Sequence, residues 1–175
     1  MNEPMGWCEV KNHLGSALEM LHKAHSHLYE VDVNERSLTH WLAVYLSRLF
    51  PGFEVDVEYN RNLEEPKRLQ LTVDTTTAND IKATTVFPDV IVHRRGSHQN
   101  LLVVEVKKGP RADGTRDAEK LKAFTRPEPD GLGYRFGAFV RVNTDGSYTL
   151  NRYERGEATF QSNDGQGSAA SSADG

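Results

Sequence analysis

The chain has 175 residues, a formal net charge of −4 and 37% hydrophobic residues, which predicts one globular domain with a full core. No apolar run approaches the roughly 18 residues of a membrane span, and the N-terminus lacks the basic and apolar regions of a signal peptide, so we expect a cytoplasmic protein without a membrane partner. The single cysteine, Cys8, excludes an internal disulfide and indicates no redox role.

Charge is spread unevenly along the chain. Residues 93–126 contain nine Lys and Arg but four Asp and Glu, a net charge of +5, whereas the remaining residues are net acidic. A local basic surface of this kind is what a phosphate backbone requires, whatever the total charge. A solvated surface with no partner explains the same charges equally well.

The first predicted element is an amphipathic helix over residues 9–29. Its apolar residues recur at steps of three and four, namely Val10, Leu14, Ala17, Leu21, Ala24 and Leu28. The same helix carries four histidines, His13, His22, His25 and His27. They could suggest zinc, but they lie on one helix without Cys or a second ligand cluster, so we interpret them as ordinary solvated side chains.

A second, more buried helix is predicted from Asn34, a typical N-cap residue, to the Pro51-Gly52 pair that ends it. Its inward stripe consists of Leu38, Trp41, Leu42, Tyr45 and Leu49. Glu35 precedes Leu38 by three residues, which puts a carboxylate in line with that stripe. Because the helix dipole favours an acid in the first turn without any catalytic purpose, structural and functional roles for Glu35 both stay open.

The next two segments differ in how clearly they can be interpreted. Residues 53–59 alternate between apolar and acidic, which predicts a strand with one buried face and its acids at the surface. Residues 63–85 are polar and rich in threonine, with only a short possible strand at 69–73. We interpret them as a loop over the functional face.

The stretch from Phe87 to Gly109 predicts a β-hairpin, because two β-branched runs flank a turn centred near Ser97. Asp89 lies eight residues before position 97 and Glu105 eight after it, so the two carboxylates should face one another. Directly opposed residues have Cβ atoms about 5 Å apart, and two carboxylates so close repel unless a cation or a proton lies between them. The spacing therefore predicts a site for a divalent metal.

Side chains alternate across a strand, which divides this hairpin into two faces. One face should carry Asp89, Ile91, His93, Leu101, Val103, Glu105 and Lys107. The other should carry Val90, Val92, Leu102, Val104 and Val106.

The last predicted elements complete an α/β pattern. A basic helix is expected over residues 113–124, with Leu121 and Phe124 inside and Arg116, Lys120 and Lys122 outside. Strands over 134–142 and 148–153 are joined by a turn at 143–146. Residues 161–175 contain no apolar side chain larger than Ala and are predicted to form a disordered tail.

Pro88-Asp89 followed by Glu105-Val106-Lys107 resembles the PD-(D/E)xK signature of restriction-endonuclease-like nucleases. The segments 34–40, 57–61 and 100–108 are similar to small stand-alone bacterial members of that superfamily. The resemblance covers about residues 30–142 and implies a central mixed β-sheet flanked by helices. We expect a single nuclease-like domain over residues 1–160, made of this core and the N-terminal helix of residues 1–29, which the resemblance does not explain.

The resemblance implies a catalytic site made of Glu35, Asp89, Glu105 and Lys107. Asp89, Glu105 and the backbone carbonyl of Val106 offer the hard oxygen ligands that Mg²⁺ or Mn²⁺ prefers, with Glu35 as a direct or water-mediated third carboxylate. Lys107 would orient or deprotonate the attacking water, or neutralise charge on the phosphorane. A salt bridge that closes the strand end is its structural alternative.

We expect an endonuclease that acts on DNA rather than RNA, and so small an enzyme would need a homodimer to cut both strands at once. Candidates for backbone phosphate contacts are Arg61, Arg94, Lys108, Arg111, Arg116 and Lys120. The alternative is a catalytically silent nuclease-fold module that binds nucleic acid or a protein partner. The presence of all four signature residues favours the enzyme.

Overall fold

A computed structural model describes residues 5–30, 35–59, 87–109 and 113–159, together with the backbone of four short strands between residues 61 and 85. Several predictions lie outside these residues, namely the N-cap at Asn34, most of the 63–85 segment and the 161–175 tail. Two of the predicted phosphate contacts cannot be placed either, because Arg111 and the side chain of Arg61 also lie outside them.

The helices are α1 (Trp7–His25), α2 (His27–Glu30), α3 (Glu35–Leu49) and α4 (Thr115–Thr125). All three predicted helices are confirmed, although the first is interrupted at Ser26. Three of its histidine rings contact aromatic rings, as in the pairs His13–Phe50, His22–Tyr29 and His25–Trp41. None of the described helices is long and apolar enough to cross a membrane.

The strands, in chain order, are β1 (Glu54–Val57), β2 (Arg61–Asn62), β3 (Glu65–Pro66), β4 (Arg68–Gln70), β5 (Ala83–Thr85), β6 (Val90–His93), β7 (Asn100–Lys108), β8 (Phe136–Val142), β9 (Tyr148–Glu154) and β10 (Glu157–Thr159). Six of them form one sheet in the order β1-β6-β7-β8-β9-β10, while β2 pairs with β3 and β4 with β5. Only β7 and β8 run parallel within the large sheet. The predicted α/β fold with a mixed sheet flanked by helices is therefore confirmed.

The hairpin of β6 and β7 has the predicted register. Val90 faces Val104 and Val92 faces Leu102, which puts Asp89, one residue before β6, level with Glu105. A bulge follows, because His93 pairs with Asn100 and leaves Leu101 without a direct partner. Leu101 consequently packs in the core of the opposite face, so its predicted face was wrong.

Each face of the sheet has its own core. The first contains alternate residues of β6 and β7 and the buried sides of α1 and α3, among them Val90, Val92, Val104, Val106, Leu14 and Leu42. The second contains the other alternate residues and the buried side of α4, among them Ile91, Val103, Phe139, Leu121 and Phe124. Strand β7 is therefore covered on both faces, as its nearly continuous apolar sequence requires.

Of the three acids that were predicted to lie at the surface in residues 53–59, Glu54 and Glu58 are exposed, whereas Asp56 is not. The Asp56 side chain is 15% exposed, and its Oδ2 lies 2.8 Å from His93 Nε2. The Arg95 guanidinium binds the same carboxylate. Asp56 can be buried because these two hairpin groups compensate its charge, whereas Val57 is 37% exposed at the edge of the sheet.

Candidate active site

The C-terminal end of β7 collects charged side chains from four elements. Glu105 and Lys107 alternate along β7, Asp89 directly precedes β6, and Glu35 is the first residue of α3. Helix α4, which covers the face of the sheet opposite α3, adds Asp117 and Lys120. The four side chains predicted from the sequence are thus brought to one region, together with two that were not assigned to the catalytic site.

Of the predicted acid pair, Glu105 is buried and Asp89 is partly buried. The Glu105 side chain is 1% exposed, and Asp89 Oδ2 accepts a hydrogen bond from the Val106 N–H at 2.8 Å. Burial raises the pKa of the Glu105 carboxyl well above its ordinary value, and the negative charge of Asp89 raises it further. Burial also raises the pKa of Asp89, although the Val106 N–H and the neighbouring lysines oppose the rise. Both carboxyl groups are therefore costly to ionise in the folded protein.

Lys120 is the direct partner of Glu105. Its Nζ lies 2.7 Å from Glu105 Oε2 and 3.4 Å from Asp117 Oδ1. The Lys120 side chain is only 14% exposed, so the prediction that it lies outside the helix was wrong. Its ammonium turns inward because a buried carboxylate requires a compensating charge.

Lys107 contacts two other acids. Its Nζ lies 3.2 Å from Glu35 Oε2 and 3.5 Å from Asp117 Oδ2, while Glu35 Oε1 accepts a hydrogen bond from the Lys108 N–H. Burial lowers the pKa of Lys107, but the nearby carboxylates of Asp117, Glu35 and Asp89 together raise it by more. Lys107 therefore carries a positive charge at neutral pH.

These contacts form a series of alternating charge, which we call the acid–lysine series. Its members in order of contact are Glu105, Lys120, Asp117, Lys107 and Glu35. With Asp89 the region holds four carboxylates and two ammonium groups, so full ionisation leaves a net charge of −2. In addition, Glu105 Oε1 is buried and has no hydrogen-bond partner within the described residues. Excess negative charge and an unsatisfied carboxylate oxygen fit a divalent cation held by Asp89 and Glu105.

The carboxylates are not arranged as a ready-made metal site. Among the side chains that the structure describes, no three of the Asp, Glu, His and Cys type are grouped so that they could hold one ion. The two predicted ligands also have partners already, because Lys120 binds Glu105 and the Val106 N–H binds Asp89. A cation that bound here would have to replace or rearrange some of these contacts.

The remaining predicted residues are dispersed. Val106, predicted to offer its carbonyl to a metal, donates its N–H to Asp89. Arg94 lies at the other end of β6, where its guanidinium is 5.4 Å from the centre of the Phe53 ring. Lys108 Nζ donates to the Leu28 carbonyl at 3.2 Å, whereas Arg116 is exposed in the first turn of α4. Of the predicted phosphate contacts that can be placed, Arg116 combines exposure with a position in α4, the helix that carries Asp117 and Lys120.

Asp117 is the site residue that the sequence-based prediction missed. It is buried although it is acidic, and it contacts both lysines of the series. A usable signal was present, because Asp117 stands four residues before Leu121 and seven before Phe124, in line with the apolar stripe of α4. A similar helical spacing, three residues before Leu38, singled out Glu35 in α3.

Replacing Glu105 by Gln should change how stability depends on pH. Since the pKa of Glu105 is raised in the folded state, the wild-type protein should lose stability as pH rises from the ordinary value of 4.5 through the folded value. Gln cannot ionise, so the variant should gain free energy of unfolding relative to wild type over that range, by up to about 1.4 kcal/mol per pH unit. Urea unfolding in EDTA at several pH values measures the difference. A difference that does not vary with pH would contradict the assignment of a raised pKa.

The fold and the site together define an α/β protein with an acid-rich cluster at the end of a central strand. No family model, curated protein or solved structure matches this chain.

Proposed function

We propose that the chain is a metal-dependent nuclease with a restriction-endonuclease-like fold, which hydrolyses phosphodiester bonds in DNA. The observation that carries this proposal is the cluster at the end of β7, where the partly buried Asp89 lies level with the buried Glu105 and Lys107 is one pleat away. The negative charge that the region would carry on full ionisation and the unsatisfied oxygen of Glu105 support a cation as the ligand of this cluster.

Asp89 and Glu105 would hold Mg²⁺ or Mn²⁺. When bound, such a metal polarises a phosphoryl oxygen and lowers the pKa of a coordinated water. Lys107 would place its ammonium near the charge that grows on the phosphorane and would orient the attacking water. Because Lys107 is already protonated, we favour this electrostatic role over the abstraction of a proton. Glu35 would act through Lys107, whose Nζ it holds at 3.2 Å.

A second candidate function is a silent nuclease-fold module that binds nucleic acid or a partner protein. The specific observation in its favour is the Lys120–Glu105 ion pair, which occupies a carboxylate that a catalytic metal needs. In that case the acid–lysine series would be a permanent structural ion cluster.

A cleavage assay separates the two candidates. Purified protein is incubated with plasmid, linear, branched and single-stranded DNA and with RNA, in Mg²⁺, Mn²⁺ or EDTA. We expect cleavage of DNA that depends on the divalent metal. The Glu105→Gln variant, purified in the same way, controls for contaminating nucleases and should be inactive. Metal-independent binding without cleavage of any substrate would overturn the proposed activity and favour the module.

Arg116 should contribute a phosphate contact. Replacing it by Gln should weaken DNA binding in EDTA and reduce the slope of log affinity against log salt by about 1, as expected for one lost contact. Arg94→Gln is the matched control, because Arg94 is equally exposed but lies at the opposite end of β6. Fluorescence anisotropy at several salt concentrations measures both variants. Equal effects of the two substitutions would show that the DNA-binding surface is assigned wrongly.

A further inference from the structure

Lys120 differs from every other cation around the site in what it touches. It contacts Glu105, the most buried carboxylate of the acid–lysine series, at the shortest distance in that series, 2.7 Å. Lys107, the other lysine of the series, contacts Glu35 and Asp117 instead. The Glu105 oxygen that Lys120 does not reach, Oε1, has no hydrogen-bond partner among the described residues. The charge of Glu105 is thus compensated through one contact.

We propose that Lys120 is a resident counter-ion of Glu105 and that a divalent cation displaces it when the metal site fills. This inference rests on the proposed function, since it assumes that Asp89 and Glu105 are metal ligands. In the metal-free protein, the ammonium of Lys120 compensates the charge of Glu105 and reduces the repulsion between Glu105 and Asp89. When a dication binds Glu105, it takes over that compensation and Lys120 is released from the carboxylate.

The second contact of Lys120 makes the exchange feasible. Its Nζ already lies 3.4 Å from Asp117 Oδ1, so the ammonium keeps an acidic partner after it leaves Glu105. Asp117 comes from the same helix, three residues earlier, and needs no movement of the sheet to retain Lys120.

Competition of this kind has a measurable consequence for metal affinity. A positive charge held against a ligand carboxylate opposes a dication, and metal binding must break the ion pair first. Removing the charge at Lys120 should therefore tighten binding of Mn²⁺ or Mg²⁺, even though it destabilises the metal-free protein. A permanent structural ion pair predicts the opposite pattern, with lower stability in both states and no gain in affinity.

The test is calorimetric titration of the full chain with Mn²⁺ and with Mg²⁺, without nucleic acid. We expect Lys120→Met to lower the Kd at least tenfold. Metal should also raise its Tm by more than it raises the wild-type Tm, because tighter binding to the folded state adds more stability. Lys120→Arg, which keeps the charge, should bind metal about as weakly as wild type.

Two control substitutions separate direct contact from general electrostatics. Lys122→Met removes the same charge from the same helix, but Lys122 pairs with Glu119 and is 34% exposed. Lys107→Met removes a charge from within the series without touching Glu105. Lys122→Met should change the Kd by less than about threefold, as expected for a screened charge, and Lys107→Met should lower it by less than Lys120→Met does, because Lys107 does not contact Glu105. If Lys120→Met is too unstable to purify, Lys120→Gln replaces it with the same expected direction.

The outcomes separate this inference from the proposed nuclease activity. An unchanged or higher Kd in Lys120→Met, or an equal gain in Lys107→Met, overturns the counter-ion role even when the wild-type protein cleaves DNA. A protein that never cleaves but shows the tenfold gain supports the counter-ion role and overturns the activity. The absence of metal binding in wild type and variants alike overturns the inference.

Discussion

Replacing Asp89 by Asn should abolish cleavage and weaken metal binding while leaving the metal-free protein at least as stable as wild type. Burial raises the pKa of Asp89, so the folded state already disfavours its charge. Asn removes the repulsion with Glu105 and retains an oxygen that can accept the Val106 N–H. Thermal melts in EDTA and cleavage assays in Mg²⁺ measure the two effects separately.

Asp117→Asn is the informative control for this prediction. Asp117 is a buried aspartate in the same cluster, yet it is shared by two lysines rather than opposed to a second acid. Removing its charge leaves those ammonium groups undercompensated and should cost up to about 3 kcal/mol. The same substitution should therefore have opposite effects on stability at the two positions. Comparable destabilisation at both would identify a structural ion cluster and remove the reason for assigning a metal site.

Replacing Lys107 by Met should reduce turnover by about 10² or more while the metal still binds. The substitution removes a positive charge near the expected position of the reacting phosphate but leaves Asp89 and Glu105 in place. Some loss of stability is expected, because Glu35 and Asp117 lose a shared partner. Single-turnover cleavage at saturating Mg²⁺ isolates the chemical step from substrate binding.

Lys122→Met controls for the loss of one lysine from this part of the chain. Its partner is Glu119, on the solvent side of α4, so turnover should stay within about twofold of wild type. Normal turnover in Lys107→Met would mean that this lysine closes the strand end as a salt bridge and takes no part in the reaction.

The acid pair could be predicted from the sequence because it depends on a short-range feature. The turn near Ser97 and the two β-branched runs around it determine which residues of the hairpin face each other. The helices could also be predicted from the sequence, since the spacing of apolar residues defines their buried sides. The bulge could not be predicted, because its single extra residue, Leu101, does not change the apolar pattern of the strand sequence.

The position of Lys120 could not be predicted in the same way. Helical spacing defines an apolar stripe, but it does not say how far the covered surface extends around the helix or which strand lies opposite. Packing of Leu121 and Phe124 into the second core turns Lys120 towards Glu105, fifteen residues earlier in the chain. The predicted exposure of Asp56 was wrong for a related reason. Its burial depends on His93 and Arg95, which lie in a hairpin distant in sequence.

The two edges of the six-stranded sheet restrict how a second copy could associate with this chain. One edge is β1, with four residues, and the other is formed by β10, with three, together with residues 148–151 of β9, which β10 does not cover. The short β1 edge exposes few unpaired main-chain groups, which discourages extension of the sheet there by another molecule. A homodimer that joined two copies at the β1 edge would therefore depend on side-chain complementarity rather than on backbone hydrogen bonding.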